Sequence, residues 1–201
     1  MPKTRRLLAL LTATTSILAL AVGGPAAAAS ADLPPDEYIL VEGLDASILS
    51  AAKPTDPRAA AIPNPVRGDV YVGQVKGVDV IFNTAWQWLD KGKNWYFGNA
   101  RLAMQTDGNL VVYNRHNGDV KWESNTDNYR ASQMLFQDDS NLVLYTPGYT
   151  DSVWATDKHC RRNVEVPLLA LQADSNLVIY CASEDQAGRL RIRALWSTGA
   201  F

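Results

Sequence analysis

The stretch "QTDGNLVVY", Gln105 to Tyr113, returns as "QDDSNLVLY", Gln137 to Tyr145, and as "QADSNLVIY", Gln172 to Tyr180. The copies start 32 and 35 residues apart. Each is followed by a Trp with a small hydroxyl residue close behind: "WESNT" at Trp122, "WATD" at Trp154 and "WSTG" at Trp196. A period in the thirties, with one supersecondary unit per copy, indicates a repeat architecture around a shared core.

Each copy reads as a β-hairpin. Apolar residues alternate before the Gln, at Leu102 and Met104, Met134 and Phe136, and Leu169 and Leu171. The alternation resumes after the Asn, at Leu110 and Val112, Leu142 and Leu144, and Leu177 and Ile179. One face of each hairpin is therefore expected to be hidden and the Gln to lie on the other. The centres, Asp107-Gly108, Asp139-Ser140 and Asp174-Ser175, have turn chemistry.

As one straight strand the motif would span roughly 26 Å at about 3.3 Å per residue, too far for one small ligand to touch both ends. Folded at the turn, Gln approaches Tyr, Asp and Asn lie near the bend, and Val sits between. Such a patch offers a carboxylate, two amides, a phenol and one apolar contact, a set suited to the adjacent hydroxyls of a sugar. A solvated hairpin face with Asp and Asn chosen for the turn is the alternative, but turn chemistry does not require Gln, Val and Tyr three times over.

All three copies match the Gln-x-Asp-x-Asn-x-Val-x-Tyr signature without a substitution, and residues 69 to 201 resemble the bulb-type, snowdrop-agglutinin-like mannose-binding lectins. The resemblance implies an all-β fold, a β-prism II of three four-stranded antiparallel sheets about a pseudo-threefold axis, with Trp122, Trp154 and Trp196 near its centre. It implies mannose contacts from Gln105, Asp107, Asn109, Val111 and Tyr113, from Gln137, Asp139, Asn141, Val143 and Tyr145, and from Gln172, Asp174, Asn176, Val178 and Tyr180. Asp and Asn would hold the 2-hydroxyl, Gln the 3-hydroxyl and Tyr the 4-hydroxyl, with Val against the ring. Strand exchange in the family leaves a homodimer open; no cofactor is expected, and one His and one Cys together supply too few ligands for a metal.

Departures from the family pattern also have places in the chain. The segment "VIFNTAWQWLDKGKNWYFGNARLAMQ" carries Trp86, Trp88 and Trp95, and insertions at "TPGYTDSV" and "CASEDQAGRLRIRA" lie beside the second and third patches. With Gly108 in its turn and no cysteine beside it, the first copy reads as the least encumbered.

Lys3, Arg5 and Arg6 precede an apolar run and then "PAAAASAD", the pattern of a secretory signal peptide over residues 1–31. The run is short for a membrane anchor, the other reading, so no stable membrane insertion is expected after cleavage. Cleavage would take the formal net charge from −2 to −5, which argues against a nucleic-acid partner. Residues 32–66, rich in Ala and Pro, read as a linker or propeptide with one weak helix, leaving 67–201 as the lectin domain. An exported protein with two cysteines, Cys160 and Cys181, favours a disulfide over two buried thiols.

The acid pairs Asp138-Asp139 and Glu184-Asp185 lie in polar, turn-like segments, and His116 and His159 have no partners that would make a catalytic or metal site. The expected protein is thus a secreted, non-catalytic binder of mannose-type glycans, held in the medium or at the cell wall. A lectin-fold antibacterial or protein-binding module, with sugar binding secondary or lost at some sites, is the alternative.

Overall fold

A computed structural model describes residues 38–41, 44, 46–51 and 70–199. The expected signal peptide lies outside the described residues, as does most of the 32–66 stretch. Among the described residues, no helix is long and apolar enough to cross a membrane.

The fold is all-β and built from three antiparallel sheets. Each repeat supplies three consecutive strands to one sheet: β6 (Ala100–Met104), β7 (Leu110–Asn114) and β8 (Val120–Glu123); β9 (Gln133–Phe136), β10 (Leu142–Tyr145) and β11 (Ser152–Ala155); β12 (Val166–Gln172), β13 (Leu177–Glu184) and β14 (Leu190–Ser197). The fourth strand of every sheet comes from the Trp-rich segment before the first motif. Along that segment β3 (Val78–Asn83) joins the third sheet beside β12, β4 (Gln87–Asp90) joins the second beside β9, and β5 (Asn94–Phe97) joins the first beside β6. One stretch thus visits all three sheets in turn. The corner from β3 to β4 places Trp86 at φ 66°, a left-handed conformation that costs a non-glycine residue roughly 1–2 kcal/mol.

Inner faces of the three sheets meet in one core. All twelve apolar residues that alternate around the motifs belong to it. Trp122, Trp154 and Trp196 meet at its centre edge-to-face, with ring centroids 5.6, 5.6 and 6.0 Å apart. This near-equal spacing is the expected pseudo-threefold prism, closed by aromatic edges that carry partial positive charge against faces that carry negative.

Among the described residues two sheets have four strands, but the third has six. Its order is β1-β14-β13-β12-β3-β2, where β2 (Val70–Val75) extends it beside β3, and β1 (Ile39–Leu40) pairs with β14. The expectation of three equal four-stranded sheets therefore fails at the third, because chain on both sides of residue 67 pairs with its edges. A second apolar cluster lies on the outer face of this sheet and includes Val41, Ile48, Val75, Val80, Phe82, Leu168, Val178, Tyr180 and Ile192. Part of the stretch read as linker, including the single helical turn α1 (Ile48–Ala51), packs here. The insertion "CASEDQAGRLRIRA" does not form a loop over a patch; it lengthens β13 and β14 into eight-residue strands.

The expected disulfide is present between Cys160 and Cys181, with Cα atoms 5.5 Å apart. It ties the loop after the second repeat to β13, and closing a loop of 21 residues contributes about 3 kcal/mol in the chain-entropy account.

Candidate functional site

The motif folds identically in all three copies. The Gln amide donates to the Tyr hydroxyl across the hairpin, in Gln105–Tyr113 and, at 2.9 Å each, in Gln137–Tyr145 and Gln172–Tyr180. The Asp carboxylate accepts the Asn backbone N–H two residues on, at 2.9, 2.9 and 3.1 Å for Asp107, Asp139 and Asp174. This is an Asx turn, which holds one carboxylate oxygen and leaves the other uncommitted. The residue between them takes a left-handed φ: 100° at Gly108, 78° at Ser140 and 76° at Ser175.

A hydroxyl two residues after each Trp completes the scaffold. Ser124, Thr156 and Thr198 donate to the side-chain oxygens of Asn109, Asn141 and Asn176 at 2.9, 2.9 and 2.8 Å. Each hydroxyl also accepts the backbone N–H of the Leu that follows that Asn, at 3.0, 3.1 and 3.1 Å. The Asn carbonyl is thereby consumed, and its NH2 is aimed by a latch just past the end of a neighbouring strand. The sequence signal for these hydroxyls is their fixed offset of two residues from each Trp.

The scaffold leaves alternating groups for a ligand. In the second copy these are the second oxygen of Asp139, the Asn141 NH2, the Gln137 side-chain oxygen and the Tyr145 hydroxyl proton, none of which has a partner among the described residues. Acceptor, donor, acceptor and donor along one patch match neighbouring hydroxyls that each donate and accept. Val111 and Val143 are 1% and 3% exposed, so the apolar residue forms the floor of the patch instead of projecting from it.

The three copies differ in what surrounds this shared scaffold. At the first, the Asn109 NH2 donates one hydrogen to Glu123 at 2.9 Å, so the second copy, with Ala155 across from Val143, is the less encumbered of the two. Beside the second patch, the insertion "TPGYTDSV" forms a 3-10 turn, Pro147–Tyr149, that sets Tyr149 edge-on to Tyr145 at 5.5 Å. Burial and the nearby Asp90 raise the Tyr149 phenol. Asp138, next to the motif's own Asp139, is also raised, by burial first and then by its neighbour's charge.

The third patch is closed. Gln172, Asn176, Val178 and Tyr180 are 4%, 0%, 0% and 2% exposed, and only Asp174 of the five faces solvent. Tyr180 packs against Phe82 and the rest of the outer apolar cluster, and burial pushes its phenol up to about 12. The buried Asn176 NH2 has no hydrogen-bond partner among the described residues. The expectation of a third accessible sugar patch is therefore corrected: the motif is intact, but its outward face has become core.

No family model and no curated protein matches the chain. Similar solved structures include a monomeric monocot mannose-binding lectin from Gastrodia elata, with 29% identity over 60% of this chain and 96% of that one and a TM-score of 0.45. The snowdrop (Galanthus nivalis) mannose-specific agglutinin, complexed with methyl-α-D-mannoside, has 29% identity over 54% of this chain and 94% of that one, at a TM-score of 0.44. A lectin from Allium sativum has 29% identity over 53% and 95%, at 0.43.

A polar cluster joins the chain before β1 to β14 of the third sheet. Arg193 and Glu165 form a buried two-pronged ion pair at 2.7 and 2.6 Å. Tyr38 donates to the same carboxylate from the chain before β1, and its ring lies under Arg191. Burial alone would raise the Glu165 carboxyl, but hydrogen bonds from Arg193, Tyr38 and the Arg161 backbone, with the Arg193 charge, hold it at about 2.

Proposed function

We propose that this protein is a secreted, non-catalytic lectin that binds mannose-type glycans through two open patches, the first and second copies of its motif, while the third serves the fold. The observation that carries this reading is the set of donors and acceptors left over at Asp139, Asn141, Gln137 and Tyr145 after the scaffold has fixed them. Groups held before the ligand arrives lose little freedom on binding, which is what a shallow site needs. The unbroken triple motif and its resemblance to mannose-binding lectins select the sugar.

Each patch buries little surface, so single sugars bind weakly and a branched glycan or cell surface gains by engaging both. Calorimetric titration of the full chain with methyl α-mannoside should give two sites, with no heat from the galactoside. Asn141→Ala should remove one site, while Asn176→Ala should leave the stoichiometry unchanged. A flat mannoside titration of folded protein would sink the reading.

A further inference from the structure

Beside the first patch, at the end of β7 away from the Asp107 turn, lies a cavity of about 210 Å³ lined by Tyr96, Arg101, Tyr113, Asn114, Arg115 and Gly118. It is built from strand register. Tyr96, Arg101 and Tyr113 stand opposite one another on β5, β6 and β7. The Arg101 guanidinium lies 3.9 Å from the Tyr113 ring centre, and that of Arg115 lies 4.9 Å from the Tyr96 ring centre. Arg115 is further held by donating to the Gly98 carbonyl at 3.1 Å.

Both cations are positioned, yet neither is neutralised. Among the described residues no carboxylate pairs with either guanidinium, and the buried Arg101 Nε has no acceptor. Acids near in sequence are engaged elsewhere: Glu123 accepts from Asn109, and Asp119 from Asn117, with Lys121 at 3.8 Å. One water needs roughly 10–15 Å³ of such space, so this half-open cavity has room for a phosphate or carboxylate group. Two forked guanidinium groups suit either anion.

Tyr113 belongs to both places, since its hydroxyl faces Gln105 in the sugar patch while its ring carries Arg101. The geometry points to an anion subsite joined to the first patch, so that this copy prefers mannosides bearing a phosphate or carboxylate over neutral ones. The inference rests on the sugar-binding reading above. The second copy has no such flank: the place of Arg101 is taken by Gln133, which donates to Asp90.

The test uses the full chain carrying Asn141→Ala, which leaves the first patch as the open one. It is titrated with methyl α-mannoside, mannose 6-phosphate, mannuronic acid and inorganic phosphate at about 50 mM and about 500 mM salt, where screening differs several-fold. An acidic mannoside should bind roughly tenfold more tightly than the neutral one at low salt, with the advantage shrinking at high salt. Arg115→Gln should remove most of that advantage and leave neutral mannoside binding unchanged. A gain for the phosphate ester alone, or for the uronate alone, supports the subsite and identifies its anion. Equal affinity for neutral and acidic sugars overturns the subsite and leaves the sugar patch standing. Inorganic phosphate binding as tightly as the ester overturns the link between cavity and patch. Loss of all mannoside binding at wild-type sites as well overturns the sugar reading itself.

Discussion

The second and third repeats carry the same motif, the same Asx turn, the same hydroxyl latch and the same Gln–Tyr bond, yet one set faces solvent and the other is core. At the half-buried Tyr145 the ring stacks edge-on with Tyr149; at Tyr180 it meets Phe82 and the apolar cluster that includes Val41 and Ile48. Local geometry therefore specifies what a patch could recognise, and coverage by distant chain decides whether anything can reach it. The closed patch retains its polar side chains at a cost, visible in the orphaned Asn176 NH2, because a buried donor without an acceptor forfeits roughly 1–3 kcal/mol.

The sharpest way to break this contrast is to make the same substitution in both repeats. Tyr180→Ala should cost about 3–5 kcal/mol, as truncation of a buried aromatic does, whereas Tyr145→Ala should cost about 1 kcal/mol. Urea denaturation of the two variants measures the difference, and equal costs would mean the third face is not closed in solution.

A second approach acts on the polar cluster around Glu165. Glu165 is held at about 2 in the folded protein against 4.5 when unperturbed. Its contribution is therefore full above pH 4.5 and disappears as the pH falls through 2. Stability measured across this interval should fall more steeply for the wild type than for Glu165→Gln, which lacks the titrating group.

The smallest effect compares turns. A Cβ at Gly108 would lie 3.0 Å from the Ala131 carbonyl oxygen in a backbone already at φ 100°, whereas the third repeat accommodates Ser175, whose hydroxyl donates to the Asn99 carbonyl at 3.2 Å. Gly108→Ala should cost about 1–2 kcal/mol, read as a lower denaturation midpoint at constant slope.

Much of this was legible in the chain. The alternation at Leu102, Met104, Leu110 and Val112 and its two repetitions marked the inner face, since a strand's side chains alternate whatever lies around it. The Gln–Tyr pairing followed from folding nine residues at an Asp-Gly or Asp-Ser turn. The hydroxyl latch was half visible: Ser124, Thr156 and Thr198 stand at a constant offset, but nothing local says that they hold the Asn that precedes a neighbouring strand. The Arg101–Tyr113 stack was not visible either, because it depends on register between β6 and β7 and not on spacing within one strand.

By itself, then, the sequence determined the repeat, the turns, the buried stripe and the residue types of each patch, and its resemblance implied the central tryptophans; the turns and the stripe depend on residues within a hairpin's length of one another. The tertiary structure alone decided which patches are open. That outcome rests on contacts such as Tyr38 to Glu165, 127 residues apart, and on a six-stranded third sheet whose outer face had apolar surface to bury. Removing that surface from water outweighs leaving a third set of polar groups exposed, and no local pattern records which distant segment will cover it.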